Sequence, residues 1–201
     1  MNGREGRALA LVGLRCSGKT SVGRELARLL GRRFVDLDDE LLNAWRRSPE
    51  RRTALAPASP AHAGELLVLL GEPAFRALES RTLRSVLSGE EPIVLATGGG
   101  VAELAENRAE LGRRAFVVWM RVDLPVLQAR LAADPVFRPA LLGADPAGEL
   151  PELARRRASF YGEVADLALD CGQESPEHLA GRLAEVIRRE GAPEGPPGSG
   201  G

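Results

Sequence analysis

A chain of 201 residues with 44% hydrophobic content is sized for one domain whose core needs neither disulfides nor a structural metal. Its net charge of −1 excludes a general electrostatic attraction to nucleic acid or to an anionic membrane. Cys16 and Cys171 lack metal-ligand spacing, apolar runs stay near about five residues, and no signal-type hydrophobic region follows Met1, so a cytoplasmic protein is expected.

The first predicted element is a buried strand over 8–12, an unbroken apolar run. A helix is predicted over 21–31, where Val22, Leu26, Leu29 and Leu30 recur at helical spacing and Gly31 marks the stop. Between them lies Gly13-Leu14-Arg15-Cys16-Ser17-Gly18-Lys19-Thr20, which fits the phosphate-binding pattern G-x-x-x-x-G-K-[ST] in its required strand–loop–helix context. Glycines let backbone N–H groups converge on phosphate oxygens, and the helix N-terminus adds a positive dipole end. Lys19 reaches the outer phosphates, and the Thr20 hydroxyl suits Mg²⁺. Of the 27 basic residues 26 are Arg, and the one Lys is Lys19, where a compact ammonium serves a phosphate better than a planar fork.

A second strand is predicted over 33–38, running into Asp36 and Asp38, with a helix over 39–47. Period-two spacing sends both carboxylates to one side of the strand's continuation. One could hold a Mg²⁺ water while the other meets a substrate hydroxyl; equally, Asp38 could belong to an acidic helix N-terminus favoured by the dipole. Residues 46–63, rich in Ala, Pro and Arg without periodicity, read as a mobile insertion. A short apolar helix or turn over 64–70 and a helix over 72–87 follow, the latter with Pro73 in its first turn and Arg76 and Glu79 on one face. A third strand over 93–96 delivers the chain to Thr97-Gly98-Gly99-Gly100, where a ligand can approach the backbone closely. Then come a helix over 103–111, a strand over 115–120 and a helix carrying Leu124, Leu127 and Leu131. A Pro- and Gly-containing lid over 134–151, a helix over 152–161, a strand over 166–170 and a helix over 176–189 complete the domain. The tail 191–201 is disordered in composition. Strands alternating with helices predict an α/β protein with a parallel sheet covered on both faces and its ligands at the strands' carboxyl ends.

Taken together and in order, GxxxxGKT, DLD, GEPAFRALE, ATGGGV, RPALL and Arg157-x-x-x-Tyr161 resemble the shikimate kinase family over about residues 9–170. The resemblance implies a three-layer P-loop kinase fold: a parallel sheet of about five strands flanked by helices, with a lid and an inserted substrate-binding arm, in a single domain over 1–190. It implies ATP-dependent phosphorylation of the 3-hydroxyl of shikimate, with Mg²⁺, by a cytoplasmic monomer that uses no nucleic acid or membrane. ATP would sit on Gly13, Arg15, Cys16, Ser17, Gly18, Lys19, Thr20 and Ser21. Arg130 would lie along the adenine, Arg138 would swing in with the lid, and Thr20 and Asp36 would hold the metal. Asp38 would bind ring hydroxyls and accept the attacking hydroxyl's proton. Arg76 and Arg157 would clamp the carboxylate, Gly98, Gly99 and Gly100 would meet the ring, and Phe75 would pack near it. Catalysis would rest on Lys19, Asp38 and Arg138.

Three departures stand out. Cys16 replaces a usual Gly and is tolerable if its φ stays negative. The 38 positions from Asp38 to Arg76 exceed the family's usual spacing by the insertion. Glu174 stands where many relatives place a basic or amide group beside the adenine. The alternatives are a kinase for another hydroxy acid such as gluconate, and a nucleotide- or shikimate-sensing domain without turnover.

Overall fold

The computed structural model describes residues 7–49, 51, 60–134, 139–141 and 145–191. Strand β1 (Ala8–Val12) is buried along its whole length. Pleating splits it: Ala8, Ala10 and Val12 face one core, while Leu9 and Leu11 face another. Strand β3 (Ile93–Ala96) and strand β4 (Ala115–Arg121) divide the same way, with Val117 on the first side and Phe116, Val118 and Met120 on the second. With β2 (Arg33–Asp36) and β5 (Leu167–Asp170) they form a five-stranded sheet in the order β2-β3-β1-β4-β5, every neighbouring pair parallel.

Parallel pairing requires crossovers, and helices supply them on both faces. Helix α1 (Lys19–Leu30) brings Val22, Leu26 and Ala27 to one face, where Leu179, Ala180, Leu183 and Ala184 of α8 (Pro176–Gly191) meet them. Burying a Leu such as Leu183 in full stabilises the fold by roughly 1.5–3 kcal/mol. Gly31 ends α1 in the left-handed conformation, φ 63°, and its N–H returns to the Ala27 and Arg28 carbonyls. On the opposite face pack Leu83 and Leu87 of α4 (Glu72–Leu87), Leu111 of α5 (Ala105–Arg114), and Tyr161 and Val164 of α7 (Leu150–Val164). A third, separate cluster joins Leu41, Leu42 and Trp45 of α2 (Leu37–Arg47), Leu66 of α3 (Ala63–Leu70), and Phe75 and Leu78. Helix α6 (Leu124–Ala133) follows β4. No helix among the described residues is long and apolar enough to cross a membrane.

Three expected boundaries move. Strand β2 stops at Asp36, whose side chain caps α2, so Asp38 is helical rather than extended. The helix expected at 103–111 is a 3₁₀ turn (Val101–Glu103) followed by α5, because the glycines before it leave the chain in a tight turn. The stretch 134–151 ends inside α7, which Pro151 opens from its first turn. Of that stretch, 135–138 and 142–144 lie outside the described residues, as do 50 and 52–59 of the stretch 46–63 and 192–201 of the tail.

Candidate active site

The sheet order turns in opposite directions on either side of β1, so β1 and β3 open a crevice at their carboxyl ends. Thr97 pins that crevice: its N–H and Oγ1 both donate to the Leu11 carbonyl, at 3.2 and 2.9 Å. Two compartments occupy the cleft. One, of about 630 Å³, is lined by the phosphate-binding loop from Arg15 to Thr20, with Ser21, Arg130, Asp134 and Glu174. The other, of about 340 Å³, is lined by Phe75, Arg76, Glu79, Gly100 and Arg157. Arg15, Thr20, Asp36, Asp38, Gly98 and Gly99 border both.

Within the loop, Lys19 Nζ donates to the Gly13 and Leu14 carbonyls (2.9 and 2.7 Å) and to Ser17 Oγ (3.2 Å). Thr20 Oγ1 donates to Asp36 Oδ2 at 2.8 Å, while Asp36 Oδ1 accepts from the Asp38 N–H at 3.0 Å. One carboxylate thus ties the start of α1 to the start of α2 and sets Asp38 at the border of the compartments. Arg130 Nη1 donates to the Cys16 carbonyl at 3.3 Å.

Cys16 does not meet the condition of a negative φ. At φ 61° it is the only described non-glycine residue in the left-handed region, since the loop turns there whatever side chain it carries. Its Sγ lies 3.7 Å from Asp134 Oδ2. Cys16→Gly relieves roughly 1–2 kcal/mol of backbone strain against roughly 0.5–1 kcal/mol of added chain entropy. A thermal scan is expected to show Tm higher by about 1–4 °C; a lower Tm means the thiol's contacts outweigh the strain.

The second compartment is built on two buried guanidinium groups, Arg76 at 9% and Arg157 at 3% exposure. Of the run Arg155-Arg156-Arg157, the first two face solvent and only the third turns inward. Arg76 Nη1 donates to Glu79 Oε2 at 2.8 Å and lies over the Phe75 ring. A Cβ on Gly100 would overlap the Arg76 guanidinium, and one on Gly98 would stand 3.1 Å from Glu79 Oε1 and 3.2 Å from Asp38 Oδ1. Charged side chains thus crowd the backbone at Gly98 and Gly100, while at Gly99 the nearest neighbour is the Arg15 backbone nitrogen, 3.2 Å from a Cβ placed there. Burial pushes the Glu79 carboxyl above its usual range, and Arg76 draws it only part of the way back. Folded Glu79 keeps its proton to a higher pH than unfolded Glu79. Its contribution to stability is complete below the unfolded value of about 4.3 and is lost as pH climbs through the folded value. The Tm of the wild type is expected to fall relative to that of Glu79→Gln as pH rises above about 4; a pH-independent difference overturns this.

A family model for shikimate kinase matches residues 15–188. The chain is 38% identical over 177 residues to the shikimate kinase of Chromobacterium violaceum, covering 88% of each chain. This chain belongs to the shikimate kinase family. A shikimate kinase of Synechococcus sp. (strain RCC307) is 36% identical over 94% of this chain and 91% of its own. Among solved structures, the shikimate kinase of Acinetobacter baumannii in complex with shikimate superposes with TM-score 0.76 at 33% identity, covering 92% of this chain and 94% of that one. A gluconokinase from Sinorhizobium meliloti, at 18% identity and TM-score 0.56, shares the fold.

Against the expectations drawn from the shikimate kinase resemblance, Arg138 lies outside the described residues. The other expected site residues line the cleft or, for Gly13, form the loop beneath it. Glu174 borders the loop-side compartment and is engaged by Arg182 at 2.6 Å and His178 at 3.1 Å. Several participants carry no local signal in the sequence. Arg15 Nη2 pairs with Glu149 Oε1 at 2.9 Å, and Glu149 Oε2 accepts from the Leu141 N–H at 2.7 Å, joining the loop to the foot of α7. Glu103 contacts both Arg76 and Arg157. His62 and Leu67 add a wall at the start of α3. Tyr161, visible only as the end of the Arg157 motif, donates its hydroxyl to the Gly99 carbonyl.

Proposed function

We infer that the protein transfers the γ-phosphoryl group of ATP to the 3-hydroxyl of shikimate, giving shikimate 3-phosphate for aromatic amino-acid biosynthesis. The observation that carries this reading is the common border. Asp36, Asp38, Gly98 and Gly99 separate a phosphate-binding loop from a pair of buried guanidinium groups shaped for one carboxylate. In this reading the loop N–H groups from Gly13 to Ser21 cradle the phosphates, and Lys19 leaves its own carbonyl partners for the outer phosphate oxygens. Thr20 and, through water, Asp36 fit Mg²⁺, whose preference for a few protein oxygens and retained waters matches a hydroxyl and a carboxylate 2.8 Å apart. The ion supplies charge neutralisation on the phosphates. Asp38 accepts the proton of the attacking hydroxyl, Arg76 and Arg157 fix the carboxylate, and Phe75 and the Gly98–Gly100 backbone meet the ring. Arg130 lies along the adenine.

The same reading makes 1–190 one domain, with 134–151 a lid, 46–63 part of the acceptor arm and 191–201 a tail. It makes the protein a cytoplasmic monomer that needs neither nucleic acid nor membrane. Arg138 meets the transferring phosphoryl group as the lid closes, so Arg138→Ala is expected to lower turnover far more than ATP affinity; the opposite pattern refutes that role. The deciding assay is ADP release from MgATP with shikimate, gluconate or no acceptor. Shikimate-dependent release at roughly 1–100 s⁻¹ is expected. Release with gluconate alone means the arm selects another acid, and nucleotide binding without any release means a sensor.

A further inference from the structure

We propose that Glu103 is a positioning residue of the acceptor clamp, holding Arg76 and Arg157 at a fixed separation and orientation from behind. It ends the 3₁₀ turn that follows the triple glycine, where its N–H donates to the Gly100 carbonyl at 3.0 Å. Its Oε1 accepts from Arg157 Nε at 2.6 Å, and its Oε2 lies 3.9 Å from Arg76 Nη2. The two arginines line the arm-side compartment, and Glu103 is not among its lining residues.

The choice of atoms matters. By taking Arg157 through Nε, Glu103 fixes the plane of that guanidinium while its Nη1 stays beside Gly99, where a Cβ would stand 3.5 Å from it. Arg76 is held at Nη1 by Glu79, so Glu103 adds its charge at the other nitrogen. Two like-charged forks turned to one compartment repel each other, and a carboxylate shared between them offsets that repulsion. A pre-oriented pair then receives an incoming carboxylate without first ordering two long side chains. Among the described residues its side chain pairs with Arg157 and Arg76, so its effect is expected on acceptor binding.

This inference rests on the reading of the arm-side compartment as the acceptor site, and the test separates the two. Glu103→Ala and Glu103→Gln are compared with the wild type by steady-state kinetics, varying shikimate and MgATP in turn. The expected result is a KM for shikimate raised about 10-fold or more in Glu103→Ala and less in Glu103→Gln, which keeps the hydrogen bond but not the charge. The KM for MgATP and kcat are expected to stay within about twofold. Direct titration of MgATP reports whether each variant is folded, and Glu103→Gln carries the test if Glu103→Ala is not. An unchanged KM for shikimate overturns the proposal, as does a parallel rise in both KM values. A wild type inactive on shikimate but active on another carboxylic acid refutes the choice of acceptor alone, and the same KM comparison is then read with that acid.

Discussion

Under the proposed function, Lys19→Ala is expected to lower kcat by roughly 10³-fold or more, because the ammonium that would meet the developing phosphate charge is gone. The structure adds a second effect. The ammonium is buried and bridges Gly13 O, Leu14 O and Ser17 Oγ, so it also clasps the loop. Removing it takes that donor from the Gly13 carbonyl and Ser17 Oγ, while the Leu14 carbonyl keeps the Ser17 N–H at 3.3 Å; the cost is roughly 1–3 kcal/mol, seen as a Tm lower by roughly 2–10 °C. Lys19→Arg is not a rescue, since a planar fork cannot converge on three acceptors that a single tetrahedral nitrogen reaches. A variant with normal turnover and normal Tm would remove Lys19 from both roles.

Under the proposed function, Asp38→Asn is expected to lower kcat by roughly 10²–10⁴-fold, the range for loss of a general base, while the KM for MgATP moves by less than about threefold. The substitution preserves shape, and the cap on α2 belongs to Asp36, so the backbone there keeps its anchor. Asp38 also sits in the first turn of α2 with Asp39 and Glu40, where a carboxylate complements the helix dipole. That role alone predicts a stability loss of only about 0.3–1 kcal/mol and intact turnover. Measuring kcat beside Tm separates the two: a full rate with a slightly lower Tm leaves Asp38 as a helix-terminus charge.

What could be read from the sequence follows the range of the forces involved. The strand, loop and helix over 8–31 were legible almost to the residue, because an apolar run, a glycine turn and a helical repeat are each local. The convergence of Asp36 and Asp38 was legible, but its cause was not. A period of two along a strand was expected, whereas Asp36 ends the strand and accepts the N–H of a helical Asp38. The inward turn of Arg157 beside its solvent-facing neighbours depends on how α7 lies on the sheet, which no charge run reveals. Glu103 and Arg157 are 54 residues apart, and Arg15 and Glu149 are 134 apart; such pairs exist only once the chain has folded. The condition on Cys16, that its φ be negative, could be stated from the sequence but not whether it is met; at φ 61° it is not.

Phe75 belongs to the third hydrophobic cluster and also borders the compartment that holds the clamp. That cluster shares none of its buried members with the two cores that sandwich the sheet. With Leu37 anchoring the start of α2 in the first core, a sub-global opening of the rest of α2, α3 and the start of α4 would dismantle the proposed acceptor site while β1, the phosphate loop and α1 stay native. Nucleotide affinity should outlast acceptor affinity as denaturant is added, so that two ligands of one cleft report on two different stabilities.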